Sequence, residues 1–508
     1  MSRLVNNLKN SNRYLPYFAF VPACILALAV GAANNLPSVD LPNHLVRYQI
    51  IASLIFDASS QFVGEYGIDL IVSPYILWDL VAAGLVQLLG ATATAKILNI
   101  LVLLSLGAGG YFYARAIQRT RGESLVATLF CLYIASGWFF TIGYISYMIG
   151  MGYCLGALGC WHIAVRPSEV HLRKQILFSL MVVFAYLTHL SAFVFIGFYV
   201  LIDTIVDFYC GRRNWKPRVI PTCVLGMVSI FHLLASKNSS SWYLYQPLTT
   251  KIQRIIKPLL RFDDSYDLLF LWLFAATLMV FLLLAIGHKR FKGIEWDFKM
   301  LARFSSFFLL FLSLPIGLIS AWDVDIRVLP LVYVFAVLSF RIPEGKWTKA
   351  VAAFMFIFST ASALHFGKNI LAMDTSISQY HKVLAEIPPN STVLPVRTRG
   401  DEKLYSPWSH QNTLYVITTG GKVPYLFSRD RGNPIYHFRD YNVLPAPSEV
   451  WYIRNNKEEL QKYIDNYDYL IANDPLEVSA SIQERLEVVR SNEQGVLYLI
   501  KKKKVPTK

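Results

Sequence analysis

The chain has 508 residues, a net charge of +15 at neutral pH, 55% hydrophobic and 16% charged residues, and a mean hydropathy of +0.41. So large an apolar share excludes an ordinary soluble globular protein and indicates a polytopic membrane protein with helices of ~20 apolar residues. The basic surplus does not point to nucleic acid, because Lys and Arg gather in short loops between apolar stretches, where they read as a positive-inside signal and as contacts for anionic membrane lipids.

The first apolar segment, 17–33, has no small-residue cleavage site after it and is expected to remain as an anchor. The basic loops are 2–13, "RAIQRTRGE" (115–123), "RPSEVHLRK" (166–174), "CGRRNWKPR" (210–218), "HKRFKG" (288–293) and "RIPEGKWTK" (341–349). Placing all of them on the cytoplasmic side requires about eleven alternating spans. These fall at 17–33, 95–114, 124–141, 147–165, 175–187, 190–208, 219–235, 268–287, 301–321, 328–340 and 350–366. A further apolar stretch, "IVSPYILWDLVAAGLVQLLG" (71–90), would break that alternation if it crossed. Its Pro74 and Asp79 suit a juxtamembrane or re-entrant helix. The first external loop then runs over 34–94, and the N-terminus is cytoplasmic.

The short fifth and sixth spans meet at "THLS" (188–191), where His189 is expected to make a polar contact inside the bundle or, alternatively, to line a cavity. Beyond 366 the long apolar runs cease. Short runs such as "TLYVIT" and "VLYLI" alternate with helical patterns such as "KEELQKYIDNY" and "SIQERLEVV", so 367–508 is expected to be a soluble α/β domain. An odd span number places it outside the cell membrane. The six cysteines, Cys24, Cys131, Cys154, Cys160, Cys210 and Cys223, lie in or beside apolar segments with no CxxC or metal-binding spacing.

"NNLPSVDLPNHLVRYQII" (34–51) follows the first span directly. Asp40, His44 and Arg47 recur at i, i+4 and i+7, one face of any helix that starts there. Asp40 before Leu41 and Pro42 also has the pattern of a helix N-cap. Capping needs neither His44 nor Arg47. An acid, an imidazole and a fixed cation at one membrane face suit group transfer from an anionic donor: Asp40 to activate a hydroxyl, His44 and Arg47 to bind a phosphate leaving group.

With the following "SPYILWDLVAAGLVQLLG" and "TAKILNILVLLSLGAGGYFYARAIQRTRG", the stretch resembles the start of the integral-membrane glycosyltransferases of the GT-C fold, over roughly residues 15–210 in organisation. That resemblance implies inverting transfer of a sugar from a polyprenyl-phosphate donor at the extracytoplasmic face, with a glycan, glycolipid or protein acceptor. It implies a catalytic role for Asp40, as base or through a divalent metal, and suggests a bacterial inner membrane. The second external loop, "WFFTIGYISYM" (138–148), lacks the second acid common in that family. Glu65, Asp69, Asp79, Asp263, Asp264 and Asp267 remain open as substitutes.

Between two later spans, "AWDVDIRVLP" (321–330) places Arg327 where it can reach a lipid phosphate, or else pair with Asp323 or Asp325. The basic amphipathic "KIQRIIKPLLRF" reads as an interfacial helix, or as donor-phosphate cations from Lys251, Arg254, Lys257 and Arg261. Tyr405, Trp408, Tyr415, Tyr425 and Tyr436 are candidates for sugar stacking, with core packing the commoner use. Two other classes stay in view: a ligase or polymerase of the O-antigen type, with a large basic central loop, and a non-catalytic transporter or envelope assembly scaffold.

Overall fold

The computed structural model describes residues 15–57, 59–68, 74–165, 171–211, 216–235, 243–262, 264–286, 295–318, 321–342, 345–396, 410–424, 435–437, 457–473, 475–476 and 478–501. It is mostly helical, and every expected span overlaps a helix. In chain order the helices are α1 (Phe20–Ala32), α2 (Leu41–Phe56), α3 (Ile76–Leu89), α4 (Ala91–Ala116), α5 (Arg121–Ala135), α6 (Trp138–Ile142) and α7 (Ile145–Val165). There follow α8 (Leu172–Thr188), α9 (Leu190–Tyr209), α10 (Val219–Ala235), α11 (Leu248–Arg254), α12 (Ser265–Ile286), α13 (Phe298–Ser313), α14 (Leu329–Leu338) and α15 (Lys346–Leu384). Among the described residues five helical stretches are long and apolar enough to cross a membrane: Ala91–Ala116, Arg121–Ile142, Ile145–Val165, Leu190–Tyr209 and Trp347–Leu384. The protein is an integral membrane protein.

Small residues set the closest packing. A Cβ on Gly152 of α7 would press on Ser105 of α4, and one on Gly109 would meet the Gly152 carbonyl, so these backbones touch as transmembrane helices do at glycine contacts. A buried pair, Arg303 with Asp203, ties α13 to α9, and Asp203 also accepts from Trp161 Nε1 at 2.8 Å.

Two helix ends depart from the sequence reading. The span expected over 301–321 ends at Ser313, because Pro315 leaves the helix no N–H to continue with. The apolar stretch read as a juxtamembrane or re-entrant helix does hold a helix, α3, which packs on α2 and buries Asp79. The long α15 runs without a break through position 366, where the apolar pattern stops.

The first loop and the part of the chain beyond α15 are joined: β1 (Tyr66–Ile68) pairs antiparallel with β3 (Ile435–His437), and Glu65 bonds Lys422 at 2.7 Å. The C-terminal part also holds a four-stranded sheet in the order β2 (Val393–Val396), β4 (Tyr469–Ala472), β6 (Gly495–Ile500), β5 (Leu486–Asn492), with β2 parallel to β4 and the other pairs antiparallel. It encloses a core of its own around Leu394, Leu460, Leu470 and Val496. "VLYLI" forms β6 as expected, whereas "TLYVIT" is helix α16 (Leu414–Thr419), a swap that short apolar runs permit.

Candidate active site around Asp40

Asp40 sits immediately before α2, where an aspartate ordinarily accepts from a first-turn N–H. Its carboxylate makes no such bond, so the capping alternative does not hold and the side chain is available for chemistry. The backbone here is held from outside the helix. Val39 N–H donates to the Thr141 carbonyl (3.0 Å) and Asp40 N–H to that of Ile142 (2.8 Å). Thus the second loop, which lacks an acid, contributes backbone carbonyls instead. Asn35 fastens the preceding turn to α15 through Asp374 (2.8 and 3.0 Å) and Ser378 (2.9 Å).

Gly143 closes that contact. Its φ of +92° favours glycine, and a Cβ would lie 3.0 Å from Leu41 N and 3.3 Å from Asp40 N, as well as against Ser38 Oγ. Gly143→Ala is therefore expected to push the Asp40 backbone aside and lower turnover by about 10- to 100-fold, since displacements near 1 Å cost that much. Unchanged turnover in a folded Gly143→Ala protein would show that Asp40 needs no such placement.

Burial raises the Asp40 carboxyl from 3.8 to about 7; Arg327 opposes this most strongly, then Arg47, while Asp323 adds to it. The group therefore changes charge near neutral pH, as a general base must. His44 is held well below its usual range by burial first and then by the Arg47 cation, so its imidazole is neutral. It stacks on Tyr48 with ring centroids 6.0 Å apart.

Arg47 Nη2 lies 2.7 Å from Asp79 Oδ1, and both side chains are buried. This ion pair welds α2 to α3, and removing one partner would strand the other charge at a cost of roughly 3–5 kcal/mol. Asp79 is thus engaged as the counter-charge of Arg47.

Arg327 is different. The aspartates expected to pair with it bind elsewhere: Asp323 holds Arg254 (2.6 Å) and Lys257 (3.3 Å), and Asp325 holds Arg254 (2.9 Å). Among the described residues Arg327 has no carboxylate partner. Its guanidinium is buried, donates to the Trp322 carbonyl at 2.9 Å, lies over the Tyr144 ring at 4.8 Å, and leaves Nε without a partner. Tyr147 Oη donates to the Arg327 carbonyl at 2.5 Å, fixing the chain beneath it.

His189 separates α8 from α9 in an extended conformation and caps α9, its Nδ1 accepting from Ser191 N–H at 3.0 Å. Its ring packs edge-on to Tyr75 and Tyr147. That is the polar-contact role. Arg261 is fully buried away from this cluster, donating to the Ser362 carbonyl at 3.1 Å and lying over Tyr133. Its surroundings are those of helix packing. Lys251 donates to the carbonyls of Phe311 and Leu312 at the end of α13, a favourable place for a cation. Arg254 and Lys257 are taken by aspartates, so the cations of the basic stretch are engaged with protein groups, while Leu248, Ile252 and Ile256 stay exposed on it.

No second carboxylate joins Asp40 among the described residues. Glu65 pairs with Lys422 and Asp79 with Arg47; Asp69 and Asp263 fall outside the described residues. Asp264, Asp267 and His365 form one group whose ligand atoms lie within 4.8 Å of one another, but Asp264 binds His365 (2.9 Å) and Asp267 accepts from Arg261 and Phe262 N–H. The charges felt at Asp40 are mainly cationic, those of Arg327 and Arg47, with Asp323 opposing them. Of the aromatic candidates, Tyr415 is core, bonded to the Pro388 carbonyl; Tyr405, Trp408 and Tyr425 fall outside the described residues, as does the side chain of Tyr436.

One contributor escaped sequence reasoning. His410, 370 positions from Asp40, places Nε2 at 3.8 Å from Asp40 Oδ1 and Nδ1 at 2.9 Å from Asn43 Nδ2. Nothing local to "SPWSHQN" signals this.

No protein-family model and no curated protein sequence matches the chain. Solved structures do. ArnT from Cupriavidus metallidurans in the apo state superposes with a TM-score of 0.57 at 11% identity, covering 96% of this chain and 98% of that one. The same protein bound to undecaprenyl phosphate gives 0.54 at 10% identity, covering 95% and 97%. The likeness extends over nearly the whole length of both proteins and establishes a shared fold.

Proposed function

From a chain with the GT-C fold, as the likeness to ArnT establishes, we propose an inverting glycosyltransferase that moves a sugar from a polyprenyl-phosphate donor to an envelope glycan, glycolipid or protein at the extracytoplasmic face of a bacterial inner membrane. One observation carries the reading: a carboxylate that caps nothing stands in the field of a buried arginine that, among the described residues, no carboxylate neutralises. The undecaprenyl phosphate bound to ArnT supports a donor of that lipid class.

In this mechanism Asp40 accepts the proton of the acceptor hydroxyl as its oxygen attacks the anomeric carbon from the face opposite the phosphate. The bond from that carbon to the phosphate oxygen breaks. A phosphodiester with one negative charge leaves as a monoester with two, and Arg327, aided by Arg47 and a hydrogen bond from neutral His44, stabilises the charge that develops. Arginines at this site do what a metal does in other transferases. Chelation with EDTA is therefore expected to leave transfer within about twofold of its starting rate; a loss restored by one divalent ion would contradict this assignment.

The test is transfer of radiolabelled sugar by the purified full-length protein from a panel of polyprenyl-phosphate sugars to envelope acceptors. Product formation with at least one donor is expected. A folded protein inert with the whole panel would favour the transporter or scaffold class.

A further inference from the structure

A residue from beyond α15 stands beside Asp40. Two bonds fix the turn that bears His410. Asn43 on α2 reaches its Nδ1, and Gln411 beside it bonds His381 Nε2 on α15 at 3.0 Å. The turn is also tightened internally, with Thr413 N–H (2.9 Å) and Oγ1 (2.6 Å) both donating to the His410 carbonyl. His410 itself has φ +62°, a conformation costly for most side chains and kept only where surroundings determine it.

The bond to Asn43 decides which ring nitrogen carries the proton. With the Asn43 amide NH2 as donor, Nδ1 accepts and the proton resides on Nε2. That nitrogen faces Asp40. At 3.8 Å the contact is longer than a hydrogen bond, and an approach of about 1 Å would make it one, as catalytic hydrogen bonds commonly tighten when substrate binds. Burial holds the imidazole down at about 4, so at neutral pH it offers a neutral N–H.

We infer that the C-terminal part of the chain completes the active site by supplying His410, whose Asn43-selected Nε2–H orients the Asp40 carboxylate toward the acceptor hydroxyl. His410 is a positioning residue: it holds one carboxylate oxygen while the other takes the proton, and it undergoes no net protonation. The inference rests on the transferase reading for its consequence but on the Asp40–His410–Asn43 geometry for its existence. It also gives the β1–β3 pairing and the Glu65–Lys422 bond a purpose, since both fasten the C-terminal part to the loop that carries Asp40.

The two amide substitutions separate the two ring nitrogens. His410→Asn can still face Asn43, tolerates positive φ, and cannot reach Asp40; His410→Gln extends an N–H to about the place of Nε2. The expected result is a kcat about 10-fold lower in His410→Asn with donor KM within twofold, and most of that loss recovered in His410→Gln. An independent arm uses full-length protein labelled with 15N-histidine in lipid nanodiscs, with the His410 signals assigned by their loss in His410→Gln. Wild type should show the Nε2–H tautomer, Asp40→Asn should shift its resonances, and Asn43→Ala should release the tautomer preference. An Nδ1–H tautomer indifferent to Asp40→Asn would overturn the inference, as would equal kcat in wild type and His410→Asn. If the wild type transferred no sugar while the nitrogen signals behaved as expected, the transferase reading would fall and the pairing would stand.

Discussion

Asp40→Asn is expected to lower kcat for sugar transfer at least ~100-fold, equivalent to about 2.7 kcal/mol in the barrier, with the thermal unfolding midpoint moved by no more than about 2 °C. The two halves of that expectation have separate causes. Loss of turnover follows because an amide cannot accept the hydroxyl proton. Retained stability follows because the carboxylate makes no capping bond, and the structure around it is held by the Val39 and Asp40 N–H groups, which the substitution leaves in place. A variant that loses stability and activity together would return Asp40 to a structural role. Turnover near the wild-type rate would remove it from the chemistry.

Arg327→Gln is expected to raise the donor KM by about 10- to 100-fold, the range for losing a charge-assisted hydrogen bond to phosphate, and to move the pH dependence as well. The sign follows from the charges. Asp40 must be ionised to act as base, its carboxyl is lifted by burial to about 7, and Arg327 is the strongest influence pulling it back down. The acidic limb of kcat should thus lie near pH 7 in the wild type. Without Arg327 the carboxyl rises further, so the limb moves to higher pH and activity at neutrality falls more than at about pH 8.5. A limb that stays put, or moves down, would mean that Arg327 does not act on Asp40.

The positions that were legible in the sequence are those whose reason is local. Asp40 stands directly after an apolar segment and before a Leu-Pro helix start, and Arg327 stands at the mouth of another helix. Each drew notice because a charge beside a membrane segment needs an explanation. Their partners were not legible. Arg47 finds Asp79 on the neighbouring helix, and Asp323 and Asp325 find Arg254 and Lys257 from a loop far earlier in the chain, which is why Arg327 is left without a carboxylate among the described residues. Pairings of this kind depend on how helices stack, and no spacing rule encodes them. His410 is the extreme case, brought to Asp40 by the docking of the C-terminal part. The spans were read from hydropathy and charge alternation, whereas the end of α13 and the helical state of "TLYVIT" depended on Pro315 and on packing.

A single displacement with Asp40 as base has a stereochemical signature. The most direct test is the anomeric configuration of the product, read by NMR against that of the polyprenyl-phosphate donor after transfer by the full-length protein. Inversion is the expected outcome. Retention would require two displacements through a glycosylated side chain, and would contradict the role of Asp40 as a general base.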